Sequence, residues 1–266
     1  MAIYRSRKVG KRNSNNETKY VQSKLQFGKK ESKIVKCPKC EMTYTLGSID
    51  DKNAHDKYHD LHLKGRKWSN RWGSLVRIPT LSNIAEITPP SSSRASVLTT
   101  GLPIGDKVVM IQPDNANEVK ATLEILEIVN NELNAPHDEN DFWSLPNESG
   151  RAFVYIKNDR AVGVITIETL EKERCRWMVY SSKSIVANIR PNFILGISRI
   201  WVCKTERCHG IASALLEAAR NHTIYGKPVE KWEIAWSQPT ESGGKLASKY
   251  NGVTHKSGKL LLPCYI

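Results

Sequence analysis

The chain has 266 residues, 40 Lys plus Arg against 27 Asp plus Glu, a formal charge of +13 and 39% apolar residues. At roughly 100 to 200 residues per domain that length predicts one or two domains, and no stretch approaches the ~20 consecutive apolar residues of a membrane span. Residues 1–8 carry charge with no apolar run behind them, which predicts a soluble intracellular protein without a secretory signal.

The charge is uneven. Residues 1–33 hold ten basic residues against Glu17 and Glu31, a surplus of eight; residues 34–72 add three and the remaining 194 residues only two. A cationic segment attracts polyanions by releasing their counterions, so the surplus points to recruitment by a tail rather than to a nucleic-acid substrate of the whole chain.

In chain order, residues 1–33 are polar and basic without apolar periodicity and read as a disordered tail. Residues 34–72 form a compact segment rich in Cys, His and aromatic residues. Residues 73–106, with Thr88-Pro-Pro-Ser-Ser-Ser93 and Gly101, read as a flexible linker because Pro and Ser interrupt both regular periods. From 107 to 266 the sequence is that of an independent globular domain. It opens with a strand at 107–112 and a helix at 118–133 whose Val119, Leu123, Leu126, Ile128 and Val129 share a face, leaving Glu124 and Glu127 to solvent. A hairpin at 152–156 and 161–167 turns at Lys157-Asn-Asp-Arg160. Strands at 176–180 and 194–202, a helix at 211–220, a strand at 231–236, a helix at 245–250 and a last strand at 259–265 complete a mixed α/β layer.

Cys37-Pro-Lys-Cys40, fourteen intervening residues and His55-Asp-Lys-Tyr-His59 have the spacing of a Cys2His2 zinc site. Two thiolates three positions apart converge at a hairpin turn. Two histidines four apart share a helix face, so the four ligands close a tetrahedron around structural zinc. His62 is a less favoured substitute ligand. Asp50, Asp51, Asp56 and Asp60 around this helix would repel phosphate, which favours a structural or protein-contacting finger over a base-reading one.

In the segment Arg207-Cys-His-Gly-Ile-Ala212 a strand passes through a short turn into a helix. Free N–H groups and the positive end of the helix dipole make such a turn an anion site, and Gly210 admits close backbone approach. Arg-x-x-Gly-x-Ala resembles the pyrophosphate-binding motif of the GCN5-related N-acetyltransferases. Together with Ser198-Arg-Ile-Trp-Val202, residues 131–140, 235–240, 244–252 and the closing Leu-Pro-Cys-Tyr-Ile266, and with the upstream finger, the chain resembles the fungal cohesin acetyltransferases. The implied fold is the GCN5-related mixed sheet with flanking helices, preceded by the small zinc finger and the basic tail. The implied reaction moves acetyl from acetyl-CoA to lysines on the SMC-type subunit of cohesin, establishing sister-chromatid cohesion during replication. Two other functions compete: a zinc-finger chromatin-binding protein with a vestigial acetyltransferase fold, and an acetyltransferase for histone tails.

Carried over by resemblance, Ile200, Trp201 and Val202 pair with the pantetheine arm. Arg207, Cys208, His209, Gly210, Ile211, Ala212 and Ser213 surround the pyrophosphate, and Thr240, Glu241 and Ser242 lie on the cofactor's far side. Vertebrate members of the family carry an aspartate where this chain has Gln238, and an amide takes no proton. The candidate base is therefore Glu168, acting through water, with Ser198 positioning the amine or thioester and Tyr250 donating a proton to the departing thiolate. Lys245 is a candidate for neutralising charge nearby. Cys203 and Cys208 flank the site and raise a cysteine-nucleophile route with His209, against direct transfer as the superfamily expectation.

In the tail, Gln22, Leu25 and Phe27 resemble the first half of a sliding-clamp box, with Gly28 and Lys29 in place of its aromatic pair. Arg5, Arg7, Lys8, Lys11 and Arg12 suit nuclear import and chromatin association. Thr88-Pro89 is a candidate phosphorylation site.

Overall fold

The computed structural model describes residues 33–78, 102–103, 105–135 and 150–266. The clamp-box residues Gln22, Leu25 and Phe27, the import cluster and Thr88 lie outside them. The finger comprises β1 (Ile34–Lys36), β2 (Thr43–Thr45) and α1 (Ile49–Lys64). β1 and β2 pair antiparallel, Ile34 opposite Thr45. Ser48 caps α1 by accepting from the Asp51 N–H, and Asp50 and Asp51 favour the positive helix start.

Among the described residues the remaining strands form one ten-stranded sheet. They are β3 (Arg66–Lys67), β4 (Ser74–Val76), β5 (Lys107–Met110), β6 (Gly150–Lys157), β7 (Arg160–Thr169), β8 (Cys175–Val179), β9 (Leu195–Val202), β10 (Ile234–Trp236), β11 (Val253–Thr254) and β12 (Leu260–Tyr265). The main order is β11-β12-β10-β9-β7-β6-β5-β4, with β3 on β7 and β8 on β12. β10 runs parallel to both β9 and β12. Among the described residues α2 (Ala116–Leu133), α3 (Ile211–His222) and α4 (Glu241–Asn251) join them.

The periodic elements stand close to where the sequence pattern puts them, with differences at their ends. Asn158 and Asp159 make the two-residue turn of the β6–β7 hairpin at φ of 49° and 55°, the left-handed pair that matches strand twist. α2 starts at Ala116 because Asn115 accepts from the Asn117 and Glu118 N–H groups. Its buried face runs through Ala121, Ile125, Leu126, Ile128 and Val129, while Val119 and Leu123 are half-buried and Glu124 bonds Arg66 at 2.8 Å instead of facing free solvent. Residues Lys231–Glu233 form a 3-10 turn under a Glu230/Glu233 capping box, so β10 begins only at Ile234. Thr240 caps α4, which starts four residues before the predicted helix.

The edge at residue 72 is the largest difference. Arg66–Lys67, assigned from the sequence to the finger, pairs with Arg160 and Ala161, and Ser74–Val76, assigned to the linker, pairs with β5. Strands of two and three residues carry no measurable alternation, so pattern alone misses them. The finger thereby joins the sheet through a continuous backbone. Arg160 donates to the carbonyls of Lys64 and Gly65, and Thr205 donates to the carbonyl of Leu63.

Gly65 makes that junction possible. Its φ is +74° with ψ 176°, a region open essentially to glycine alone, and a Cβ there would stand 2.1 Å from the Ala161 carbonyl oxygen. Gly65→Ala is expected to destabilise the protein by about 2–4 kcal/mol from strain and collision together. Thermal melting checks this, and a variant that melts with the wild type would show that the junction bears no load.

Candidate active site

The open edge of β9 defines the cleft. β10 follows β9 only through Trp236 opposite Ile197, after which the Ser237 hydroxyl donates to the Ser198 carbonyl at 2.9 Å and the chain turns into Gln238, Pro239 and Thr240. On its other side β9 stays paired with β7 as far as Val202. Among the described residues, the β10-facing backbone of residues 200–202 is thus left for an extended ligand to pair with. A cavity of about 490 Å³ opens at this fork, lined by Glu168, Ser198, Ile200, Trp236, Gln238, Thr240 and Tyr265 among others.

Beyond Val202 the chain reverses through Cys208 (φ 66°) and Gly210 (φ 81°) into α3. Gly210 is the N-cap residue and contributes no side chain, so the first N–H groups of α3 have no capping side chain. Exposed Cys208, His209, Gly210 and Ser213, half-buried Ala212 and buried Ile211 surround this turn. The dipole and the uncapped donors make it an anion cradle. Arg207 is on the same loop, but its guanidinium turns back to the Val202 carbonyl (2.9 Å) and to Glu132.

Of the proposed catalytic groups, Ser198 and Glu168 lie in the cavity and Tyr250 is not among its lining residues. Glu168 is ion-paired with Arg174 at 2.6 Å. Tyr250 donates to Glu217 of α3 at 3.3 Å, and burial first, then that carboxylate, raises its pKa. Thr240 lines the cavity, whereas Glu241 is exposed and paired with Lys245 at 2.8 Å; Ser242 is exposed beside it. Cys203 is buried and its thiol is pushed up by that burial, which opposes nucleophilic use. His209 reaches toward Glu206 at 3.9 Å, and no hydrogen bond joins it to Cys208 among the described residues.

Tyr265, which lines the cavity, escaped the sequence reading. Tyr265 is buried, and burial followed by the Glu168 charge raises its phenol pKa, while Arg174 lies over its ring at 5.0 Å. The sequence signal for Tyr265 is the last strand itself, whose register against β8 and β10 is set by long-range pairing.

In the finger, ligand atoms of Cys37, Cys40, His55 and His59 all lie within 4.8 Å of one another. Cys37, Cys40 and His55 are buried, and the His55 Nε2 has no hydrogen-bond partner. A buried orphan nitrogen facing two thiols is costly unless it ligates, so the donor set fits zinc. The Cys40 N–H, then the His55 side chain, lowers the Cys37 thiol to about 6, favouring the thiolate a metal needs. His62 stands apart from this group and faces Glu132 at 3.6 Å.

Comparison with known proteins matches both regions of the chain. Residues 22–61 match the zinc-finger of acetyl-transferase ESCO, 191–259 the ESCO1/2 acetyl-transferase and 121–224 the acetyltransferase (GNAT) family. N-acetyltransferase ECO1 of Candida glabrata is 53% identical over 95% of this chain and 97% of its own. The chain belongs to the ECO1 N-acetyltransferase family. ECO1 of Saccharomyces cerevisiae is 52% identical over 96% of this chain and 98% of its own. The solved xEco2 acetyltransferase domain bound to a K105-CoA conjugate is 28% identical, with a TM-score of 0.50, covering 61% of this chain and 93% of that one. The chain is therefore an N-acetyltransferase of GNAT fold with an N-terminal zinc finger, and among the described residues no helix is long and apolar enough to cross a membrane.

Proposed function

We propose that this ECO1-family enzyme transfers acetyl from acetyl-CoA to lysines of the SMC-type cohesin subunit and so establishes sister-chromatid cohesion during replication. The observation that carries the reading is the β9 edge at Ile200–Val202, which no strand among the described residues covers on the β10 side, leading to the uncapped start of α3, a track that suits a pantetheine arm ending in pyrophosphate. That the similar xEco2 acetyltransferase domain binds a CoA conjugate supports CoA as the ligand. Ile200, Trp201 and Val202 pair with the arm; Cys208 to Ser213 cradle the pyrophosphate; Thr240, Glu241 and Ser242 border the far side.

The substrate amine, with an ordinary pKa of about 10.4, sheds a proton through water to Glu168 before attack. Its nitrogen bonds the thioester carbonyl carbon, the C–S bond breaks, the thiolate takes a proton from Tyr250, whose raised pKa keeps the phenol protonated, and the second proton that the nitrogen sheds on becoming an amide returns through solvent to the tyrosinate. Ser198 positions the reacting groups. Cys37, Cys40, His55 and His59 hold structural zinc, which supplies cross-linking rather than chemistry.

The family and the basic tail support a nuclear, chromatin-associated protein, with Gln22, Leu25 and Phe27 contacting the replication clamp. Purified enzyme with acetyl-CoA is expected to place acetyl on lysines of a cohesin head fragment at least about tenfold faster than on histone-tail peptides, a ratio within reach of site-based discrimination. Peptide mass spectrometry reads both, and acetyl-lysine appearing on histone peptides alone would overturn the substrate.

A further inference from the structure

Glu132 is in the last turn of α2, a turn without basic residues where the helix dipole disfavours a carboxylate. Its side chain is 24% exposed. Such a placement persists only if other groups stabilise the charge, and three surround it. Trp201 of β9 donates its indole N–H to Oε2 at 2.6 Å. Arg207 of the anion loop donates to Oε1. His62 of the finger helix, whose buried Nδ1 has no hydrogen-bond partner, stands 3.6 Å from Oε2. Glu132, His62 and Arg207 border a second cavity of about 370 Å³ between finger and loop, which Tyr58, Cys40 and Lys204 also line.

We infer that Glu132 is a positioning residue for the cofactor: its carboxylate fixes the cofactor strand through Trp201 and braces the anion loop through Arg207. Cys208 is held at φ 66°, a conformation that costs a non-glycine residue and survives only where neighbouring contacts enforce it. Arg207 supplies that enforcement, gripping the Val202 carbonyl before the turn and Glu132 across it. The N–H groups of the cradle are then aimed before the ligand arrives, so binding does not bear the cost of ordering them. The finger closes the third side of the carboxylate through His62. Glu132 itself neither lines the 490 Å³ cavity nor touches the reacting atoms.

The inference rests on the cofactor placement given above, and the test separates the two. Isothermal titration with acetyl-CoA is run on the full chain and on Glu132→Leu and Glu132→Gln. Leu removes both hydrogen bonds and is expected to raise the acetyl-CoA Kd about tenfold, the scale of one charge-assisted bond. Gln keeps an acceptor for Trp201 but not the charge that holds Arg207, is close to isosteric, and is expected to raise Kd at least about threefold. The steady-state loss falls in the KM for acetyl-CoA rather than in kcat, a split that a general loss of folded protein would not produce. Both variants binding within about twofold of the wild type would overturn the role of Glu132 alone. A wild-type chain that binds no acetyl-CoA would overturn the cofactor placement and this inference with it.

Discussion

Gly210→Asp is expected to weaken acetyl-CoA binding by about two to three orders of magnitude while costing the fold no more than about 1–2 kcal/mol, the strain of a side chain at φ 81°. The two effects separate because Gly210 is the N-cap of α3. Aspartate is among the best N-cap residues and complements the helix dipole. It tolerates a left-handed backbone better than most side chains, and a Cβ at position 210 meets nothing within 4 Å. The variant and its Asn control therefore share one small backbone strain at φ 81° and meet no collision that would unfold them. What changes is charge: a carboxylate about 4–5 Å from a pyrophosphate oxygen, at an effective dielectric of about 20, repels it by about 3–4 kcal/mol. It also takes up the N–H groups that the ligand needs. Gly210→Asn is the control, since it has the same shape, also caps, and carries no charge. Titration calorimetry and thermal melting read the pair. An Asp variant that binds acetyl-CoA as tightly as the Asn variant would remove the anion cradle from residues 208–213.

What could be read beforehand follows the range of the interactions involved. The zinc ligands were legible because each pair is local: Cys37 and Cys40 share one turn, His55 and His59 one helix face, and folding had only to bring two short pieces together. The anion turn was legible for the same reason, since strand, glycine and helix start are contiguous from Leu195 to His222. Glu132 was not. It is 69 residues from Trp201 and 75 from Arg207, and in sequence it is one more acidic residue near the end of an amphipathic helix. Tyr265 was hidden similarly, since only the pairing of β12 with β10 brings it to the cavity. Residue type suggested Glu168 and Tyr250 for proton transfer, but their partners, Arg174 and Glu217, had no sequence signal. The short strands β3 and β4 exist because a neighbour pairs with them, so their own residues could not announce that the finger is tied into the sheet.

That tie determines what Cys37→Ser does. The finger has almost no apolar core: α1 buries only His55 and His62, and the β1–β2 ladder has three residue pairs. Burial on that scale cannot offset the entropy of ordering some thirty residues at about 1–2 kcal/mol each. The metal must supply the difference, and structural zinc contributes about 10–16 kcal/mol in comparable small fingers. Replacing Cys37 removes a ligand and leaves the His55 nitrogen buried without a partner. The variant is expected to fall from about one zinc per chain to near none, and hydrogen exchange across 34–62 is expected to rise to unfolded-like rates. The sheet has its own large core, from Val108 through Phe153 to Leu262, so exchange in β6 and β7 should stay slow. The disturbance should nevertheless reach residues 204–207, because Lys204 is held by the Lys39 carbonyl and Glu41 of the finger and Thr205 by the Leu63 carbonyl. Metal analysis and exchange mass spectrometry test the two halves separately. Wild-type zinc content in Cys37→Ser would sink the ligand set, and zinc loss with unchanged exchange at 34–62 would show that the finger is held by its contacts with the sheet rather than by metal.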